Sequence, residues 1–559
     1  MGAGRRHARG RVPRPPAEGA GGRAGRGARW QGGRVTTGDW TPQGALAEGL
    51  AEHVRAWALE LGADEADARA AGEAAAAASR ATAAGHVCVE LGSLAPDAAP
   101  LRQSLLASRV VGQPGRTGSL PLVLDADDRL YLQRYYDYER RLAVRVVRAA
   151  REGRLAIVSG GPGTGKTTRI VSELAALLEQ SPDLRIALAA PTGKAAARMT
   201  EALRGRAGDL PAGIRDRLPS ESFTLHRLLR HNPSRGFEHG ADNPLPIDVL
   251  VVDEASMLDL ALATRVLEAV PPGARILLLG DQDQLAAVES GAVFAELSAE
   301  RERLPVTLLT KNWRFPEDSG IGRLATELRR GDAESALVWL RANADPAVRW
   351  EPQAAPLALA LQGFAAYLDE VRRDATDVAA MSAAFARFRV LCAVREGPQG
   401  VEALNRELSA HARATLGSEG PGDWYVGRPV MVQVNDYALR LFNGDVGLAL
   451  PDARGELMVW FPEGQGWRPV APARVPRHET AWAMTVHKAQ GSEFDQVMLV
   501  LPRAAARVAT RELVYTGITR ARQAVVLAAG EAALAAAVRE RAVRHGGLRS
   551  RIREAFEAG

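Results

Sequence analysis

Residues 160–167 read GGPGTGKT, the spacing G-x-x-x-x-G-K-[ST]. Glycines there let successive backbone N–H groups face an anion, and a helix start just after them adds favourable potential. In this spacing Gly160, Gly161, Pro162, Gly163, Thr164, Gly165 and Thr168 cradle the phosphates of a nucleoside triphosphate. Lys166 is set to reach the β- and γ-phosphates, and Thr167 to ligate Mg²⁺. A matching acid pair closes VLVVDEASM (249–257). Asp253 would hold Mg²⁺, and Glu254 would polarise an attacking water. GDQDQLAAVESG (280–291) ends the next apolar run and places Gln284 to sense the γ-phosphate or orient water. Charge building on that phosphate calls for arginines, and Arg314 in LTKNWRF and Arg520 in LVYTGITRAR are the candidates.

The elements that must hold these residues are short apolar strands alternating with helices: RLAIVSGG, LRIALAAPTG, IDVLVVDEAS and ARILLLGDQDQ. That rhythm predicts an α/β fold with a parallel sheet covered on both faces, and ligands at the carboxyl ends of its strands. RFRVLCAVRE (387–396), QVMLVLP (496–502) and QAVVLAAG (523–530) predict a second parallel sheet. Between them, about 420–478 is rich in Val, Trp, Gly and Pro with turn signals, and predicts a small inserted β-barrel. Residues 38–110 are Ala-rich with helical period and predict a small helical domain. The tyrosines of 128–150 (Tyr131, Tyr135, Tyr136, Tyr138) are expected in a core. The resulting division is 1–37, 38–110, 111–325 and 326–559.

At 559 residues several cores are expected. The net charge of +5 is unevenly spread: nine arginines against Glu18 give residues 1–34 a charge of +8, leaving −3 for the rest. The Arg/Gly-rich 1–37 segment is expected to be disordered. Any nucleic-acid site in the body is therefore a local groove. Cys88 and Cys392 make neither a disulfide framework nor a metal cluster, and a reducing, cytoplasmic location fits. No apolar run is long enough to cross a membrane. Of 71 basic residues only Lys166, Lys194, Lys311 and Lys488 are lysine, and all four fall inside motifs. A chain this biased to Arg is expected to keep Lys where a compact ammonium works and a planar fork does not. For Lys194 and Lys488 contacts with DNA phosphates, or with loops lining a DNA channel, are proposed.

The ordered set PTGKAAARMT, TLHRLL, VVDEASM, GDQDQLAAVESG, NWRF, TVHKAQGSEFD and VYTGITRAR resembles a superfamily 1 helicase. GHVCVEL, LYLQRYYDYE, LCAVREGPQGVEALN and LFNGDVG are similar, more closely, to the RecD family, the alpha subunit of exodeoxyribonuclease V. The likeness covers roughly residues 40–545. It implies two RecA-like motor domains around one ATP and its Mg²⁺. It also implies 5′-to-3′ movement on single-stranded DNA, and a heterotrimer with RecB-like and RecC-like subunits acting on double-stranded DNA ends. The 38–110 domain would dock the partners. Pro191, Thr192, Lys194 and His226 would meet DNA from the first motor domain, and Thr485, His487 and Lys488 from the second, while Glu493 faces the nucleotide. A stand-alone helicase, on DNA or RNA, shares the same motifs. Nuclease centres of the partner type carry an acid two residues before a Lys; here Thr164, Thr192, Leu309 and Val486 stand there, so cleavage belongs to a partner. No glutamine ahead of the phosphate loop is placed as an adenine reader.

Overall fold

The computed structural model describes residues 42–558 apart from 116–117, 419–421, 437, 465 and 504–507. The 1–37 segment thus lies outside the described residues.

The N-terminal unit opens with the helices Pro42–Glu60 and Glu65–Ala83, the second capped by Asp64, whose carboxylate accepts from Asp67 N at 2.8 Å. It is not purely helical as expected. A four-stranded sheet follows in the order Cys88–Glu90, Arg129–Leu132, Leu122–Leu124, Val111–Gly112. Val54, Ala71, Leu91, Leu105, Leu122 and Leu130 share one core, so this unit runs past residue 110 to about Leu132. Strands of two to four residues carry too little alternation to read, and Cys88 pairs with Tyr131, far along the chain.

Lobe 1 is a six-stranded parallel sheet in the order Val306–Leu309, Leu155–Gly160, Arg275–Gly280, Val249–Val252, Ile186–Ala190, Phe223–Thr224. Near-continuous apolar strands such as VLVV are buried on both faces, as parallel sheets require. The chain leaves the inner strand Leu155–Gly160 through the phosphate loop, between neighbours from later in the sequence, where the strand order reverses.

Lobe 2 is a second parallel sheet, ordered Val348–Trp350, Ala521–Ala528, Phe494–Val500, Phe388–Cys392, Ala483–Thr485. Where the inserted barrel was expected stands a five-stranded antiparallel sheet, Arg428–Val432 through His478–Thr480. It has its own core of Val430, Val432, Ala449, Val459 and Phe461.

The C-terminus departs from the expected division. After the lobe 2 helix Glu531–Arg539 the chain crosses back, and the helix Leu548–Glu557 packs on the lobe 1 helix Gln133–Arg151. Leu548 and Ile552 join the lobe 1 core beside Tyr131 and Tyr136. The crossing segment is pinned by Val87 N donating to His545 O at 2.7 Å and Gly547 N to Glu139 Oε1 at 2.7 Å. Tyr131 and Tyr136 are core residues, as expected, whereas Tyr135 and Tyr138 are only partly buried against that core.

Candidate functional site

The two lobes meet at a cleft of about 1000 Å³. Its floor is the phosphate loop. Gly163 and Gly165 take φ of +84° and +85°, a region that glycine enters without strain. Gly161 is required for a second reason: a Cβ there would lie 2.6 Å from the Tyr515 hydroxyl of lobe 2. Lys166 opens the helix Lys166–Gln180, and its ammonium donates to the loop carbonyls Gly160 O and Gly161 O, the latter at 3.2 Å. Thr164 Oγ1 donates to Gly161 O at 2.8 Å. Pro162, Thr167 and Thr168 line the cleft, as do Asp253 and Glu254 at the end of their strand. Burial, and then the Glu254 charge, push the Asp253 carboxyl above the usual carboxylate range against the pull of Lys166. Glu254 sits at φ +50°, which turns the chain sharply after Asp253.

The opposite wall comes from lobe 2 and the 310–315 loop. Arg520 is buried, at 2% exposure, yet lines the cleft. Its Nε donates to Thr516 O at 3.2 Å, and its Nη2 has no partner among the described residues. Arg314 Nη1 lies 2.8 Å from Glu493 Oε1, and Arg198 Nη1 is 3.6 Å from the same oxygen. Arg522 Nε approaches Glu493 Oε2 at 3.6 Å. Burial raises the Glu493 carboxyl, but Arg198, Arg314 and Arg520 outweigh it and hold the group below its ordinary range. Gln284 is buried: its Nε2 donates to Asp281 Oδ2 at 3.0 Å, and its Oε1 has no partner among the described residues. Tyr515 Oη donates to the same Asp281 oxygen at 3.0 Å, and Leu285 N to Thr516 Oγ1 at 2.9 Å, so this loop docks on lobe 2.

The orphaned Arg520 and Gln284 atoms, the loop amides and Lys166 fit a triphosphate. The Thr167 hydroxyl and the Asp253 carboxylate are hard oxygen donors. Among the described residues no group of three or more His, Cys, Asp and Glu could hold a metal ion.

The DNA candidates fall in three places. Pro191 and Thr192 lie at the tip of their strand, where Thr192 Oγ1 caps the helix Gly193–Ala207. Lys194 packs 5.8 Å from the centre of the Phe494 ring of lobe 2, and burial pulls its ammonium down to about 7. Thr485 Oγ1 accepts from Lys488 N at 3.3 Å, and Lys488 Nζ pairs with Glu479 Oε1 at 2.6 Å. Burial, aided by Arg544, lowers His487. His226 stands apart, in a groove with His231 and Phe237 of a small hairpin, their rings 5.4 and 5.7 Å away. Lys311 Nζ lies 3.7 Å above the exposed Trp313 ring at the cleft mouth. All four lysines therefore have protein partners, two of them aromatic rings.

A family model described as an AAA domain matches residues 141–346, and one described as a UvrD-like helicase C-terminal domain matches 480–528. The RecBCD enzyme subunit RecD of Mycobacterium tuberculosis (strain ATCC 25618 / H37Rv) is 39% identical over 548 residues, covering 88% of this chain and 92% of that protein. The chain belongs to the RecD family. The RecD subunit of Haemophilus influenzae is 35% identical and covers 70% of this chain and 69% of its own length. The ATP-dependent RecD2 DNA helicase of Deinococcus radiodurans is 36% identical over 72% of this chain but only 50% of that protein. This RecD-family chain is an ATP-dependent helicase, and its two matched regions fall on the two walls of the cleft just described.

Sequence reasoning missed Arg198, Arg522 and Asp281. Arg198 did carry a signal: it follows Lys194 by four positions in PTGKAAAR, hence on the same helical face. Among the described residues no helix is long and apolar enough to cross a membrane.

Proposed function

We propose that this chain is the 5′-to-3′ motor of a RecBCD-type helicase/nuclease that works from double-stranded DNA ends, powered by ATP with Mg²⁺. The observation that carries the reading is that Lys166 of lobe 1 and Arg520 of lobe 2 line the same cleft. A triphosphate there would be reached from both lobes, so that binding favours closure and hydrolysis releases it. Thr167 and Asp253 would hold Mg²⁺, which neutralises phosphate charge when bound. The Glu254 carboxylate orients a water and takes its proton, and Gln284, whose Oε1 has no partner among the described residues, lines the same cleft. Arg314 and Arg520 bring positive charge to the γ-phosphate, while the exposed Trp313 ring offers a flat face to a base. On the DNA side, Thr192 and Lys194 stand at the seam between the lobes and Thr485 and Lys488 lie in lobe 2, which suits a grip on phosphates that reads no sequence. His226 would meet the strand farther along lobe 1.

The Mycobacterium relative is named as a subunit of RecBCD, which supports RecB-like and RecC-like partners here. Two measurements test the proposal. Lys166→Gln keeps the wild-type melting temperature and loses turnover of ATP stimulated by single strands; full turnover in this variant overturns the site. The chain, alone or recovered with its partners, unwinds duplexes carrying a 5′ single-stranded tail; unwinding only from 3′ tails overturns the polarity. Robust unwinding by the isolated chain with no partner recovered favours a stand-alone helicase of the RecD2 kind.

A further inference from the structure

The helix Gly193–Ala207 makes a second junction between the lobes beside the triphosphate site. Lys194 and Arg198 are one turn apart on its surface and project from one face. Both reach the same short piece of lobe 2. Lys194 lies over the Phe494 ring, and Arg198 Nη1 is 3.6 Å from the carboxylate of Glu493, the preceding residue. Gly491 completes the contact. Its φ is +69°, and a Cβ there would lie 3.4 Å from Ala195 Cβ and 3.5 Å from Thr192 Oγ1. The first turn of the helix therefore lies beside the 491–494 segment, close enough that a Cβ on Gly491 would be in ordinary van der Waals contact with it.

Glu493 has a second partner from lobe 1, Arg314 at 2.8 Å. A γ-phosphate entering the cleft competes with Glu493 for the Arg314 guanidinium, because both are anions seeking the same fork of donors. When Arg314 turns to phosphate, Arg198 is the lobe 1 cation still facing Glu493. An exposed ion pair at 3.6 Å would be worth little. Here Glu493 is 18% exposed and Arg198 31%, and burial weakens the Arg198 charge, so each group gains from keeping the other in place.

We propose that Arg198 is a positioning residue that holds Glu493 across the cleft, so that the Thr192 turn of its helix and the triphosphate site move as one body. The role rests on the motor reading above. Arg198 would not touch the reacting atoms. It would carry the state of the cleft to the end of the helix where Thr192 and Lys194 stand, and carry DNA engagement back.

The test compares ATP turnover with and without single-stranded DNA in the full chain, its Arg198→Gln and Glu493→Gln variants and the double variant. The expected result is a loss of DNA stimulation by ~tenfold or more in each single variant. The double variant falls no further than the worse single one, because the pair acts as a unit. In Arg198→Gln the KM for ATP shifts by less than about threefold. Stimulation retained in Arg198→Gln, multiplicative losses in the double variant, or a defect confined to the KM for ATP overturns the assignment. If Arg198→Gln does not fold, Arg198→Lys, which keeps the charge and stem, serves instead. It retains more than half of the wild-type stimulation if charge pairing is the cause, and a loss as deep as that of Glu493→Gln overturns it. Failure of the motor reading looks different: the wild-type chain then shows no DNA-stimulated turnover, or Lys166→Gln keeps it.

Discussion

Arg314 and Glu493 face each other across the two lobes at 2.8 Å, in a cleft also lined by Arg520, whose Nη2 has no partner among the described residues. One arginine thus already has an anion, and the other has a buried charge with a donor unused. On the proposed motor reading, both conditions would prepare a site for phosphate. Arg520 is desolvated in advance, and Arg314 has only to exchange one anion for another.

Replacing either arginine by alanine is expected to lower ATP turnover on the order of 10³-fold. A loss below about tenfold in one of them shows that it is not a phosphate-facing arginine. The two losses should combine to less than their product, since both act on one developing charge. Steady-state turnover at saturating ATP and DNA is the measurement.

The parts of this site that were legible in the sequence are those whose chemistry is written locally. GGPGTGKT requires a strand before it and a helix after it, and both are present. Asp253, Glu254 and Gln284 stand at strand ends, and parallel strands bring their ends together. What stayed hidden depends on pairings between distant segments. Nothing near Glu493 announces that Arg198, Arg314 and Arg522 converge on it. The rarity of Lys here points Lys194 and Lys488 to DNA phosphates or to loops lining a DNA channel. Their environment adds a ring for one and Glu479 for the other, so a DNA phosphate would have to compete with those partners. The C-terminal helix was assigned to lobe 2 because it follows lobe 2 in sequence. Its apolar face, Leu548 and Ile552, fits the lobe 1 core instead.

That crossing carries a pH dependence. Glu139 and Glu296 point at one spot: a Cβ on Gly546 would lie 3.2 Å from Glu139 Oε1 and 2.9 Å from Glu296 Oε1. Burial foremost, and for Glu139 the facing Glu296 charge, push both carboxyls well above the ordinary range, while Arg129 and Arg551 beside Glu139 and Arg549 beside Glu296 offset this in part. In the unfolded chain these groups ionise near 4.5. Above that pH the folded state holds protons that the unfolded state has released, so their contribution to stability falls as pH rises. Glu139→Gln keeps an acceptor for Gly547 N and cannot ionise. It should be more stable than the wild type at pH 8 by on the order of 1–3 kcal/mol, with the gap closing toward pH 5. Thermal unfolding of both chains across that range checks it, and a gap that widens toward acid refutes it.

Arg551 is the anchor of the same helix. Its side chain is 2% exposed, lies 3.5 Å from the fully buried Asp125 and 2.6 Å from Glu554, and stacks 5.0 Å from the Tyr136 ring centre. It ties the C-terminal helix at once to the N-terminal unit and to lobe 1. Arg551→Ala removes the stem that packs on Tyr136 and leaves Asp125 with Arg129, 2.9 Å away, as its remaining cation. Loss of one partner from a buried pair is expected to cost about 3 kcal/mol. Arg551→Met keeps the stem and should cost clearly less, because an apolar chain of similar volume still covers the Tyr136 ring. Denaturant midpoints give the two values. Cleavage in the 540–547 segment by a protease should speed up in Arg551→Ala, since the helix that holds this segment down undocks more often. A midpoint for Arg551→Ala within about 0.5 kcal/mol of wild type would mean that the helix is held by Leu548 and Ile552 alone.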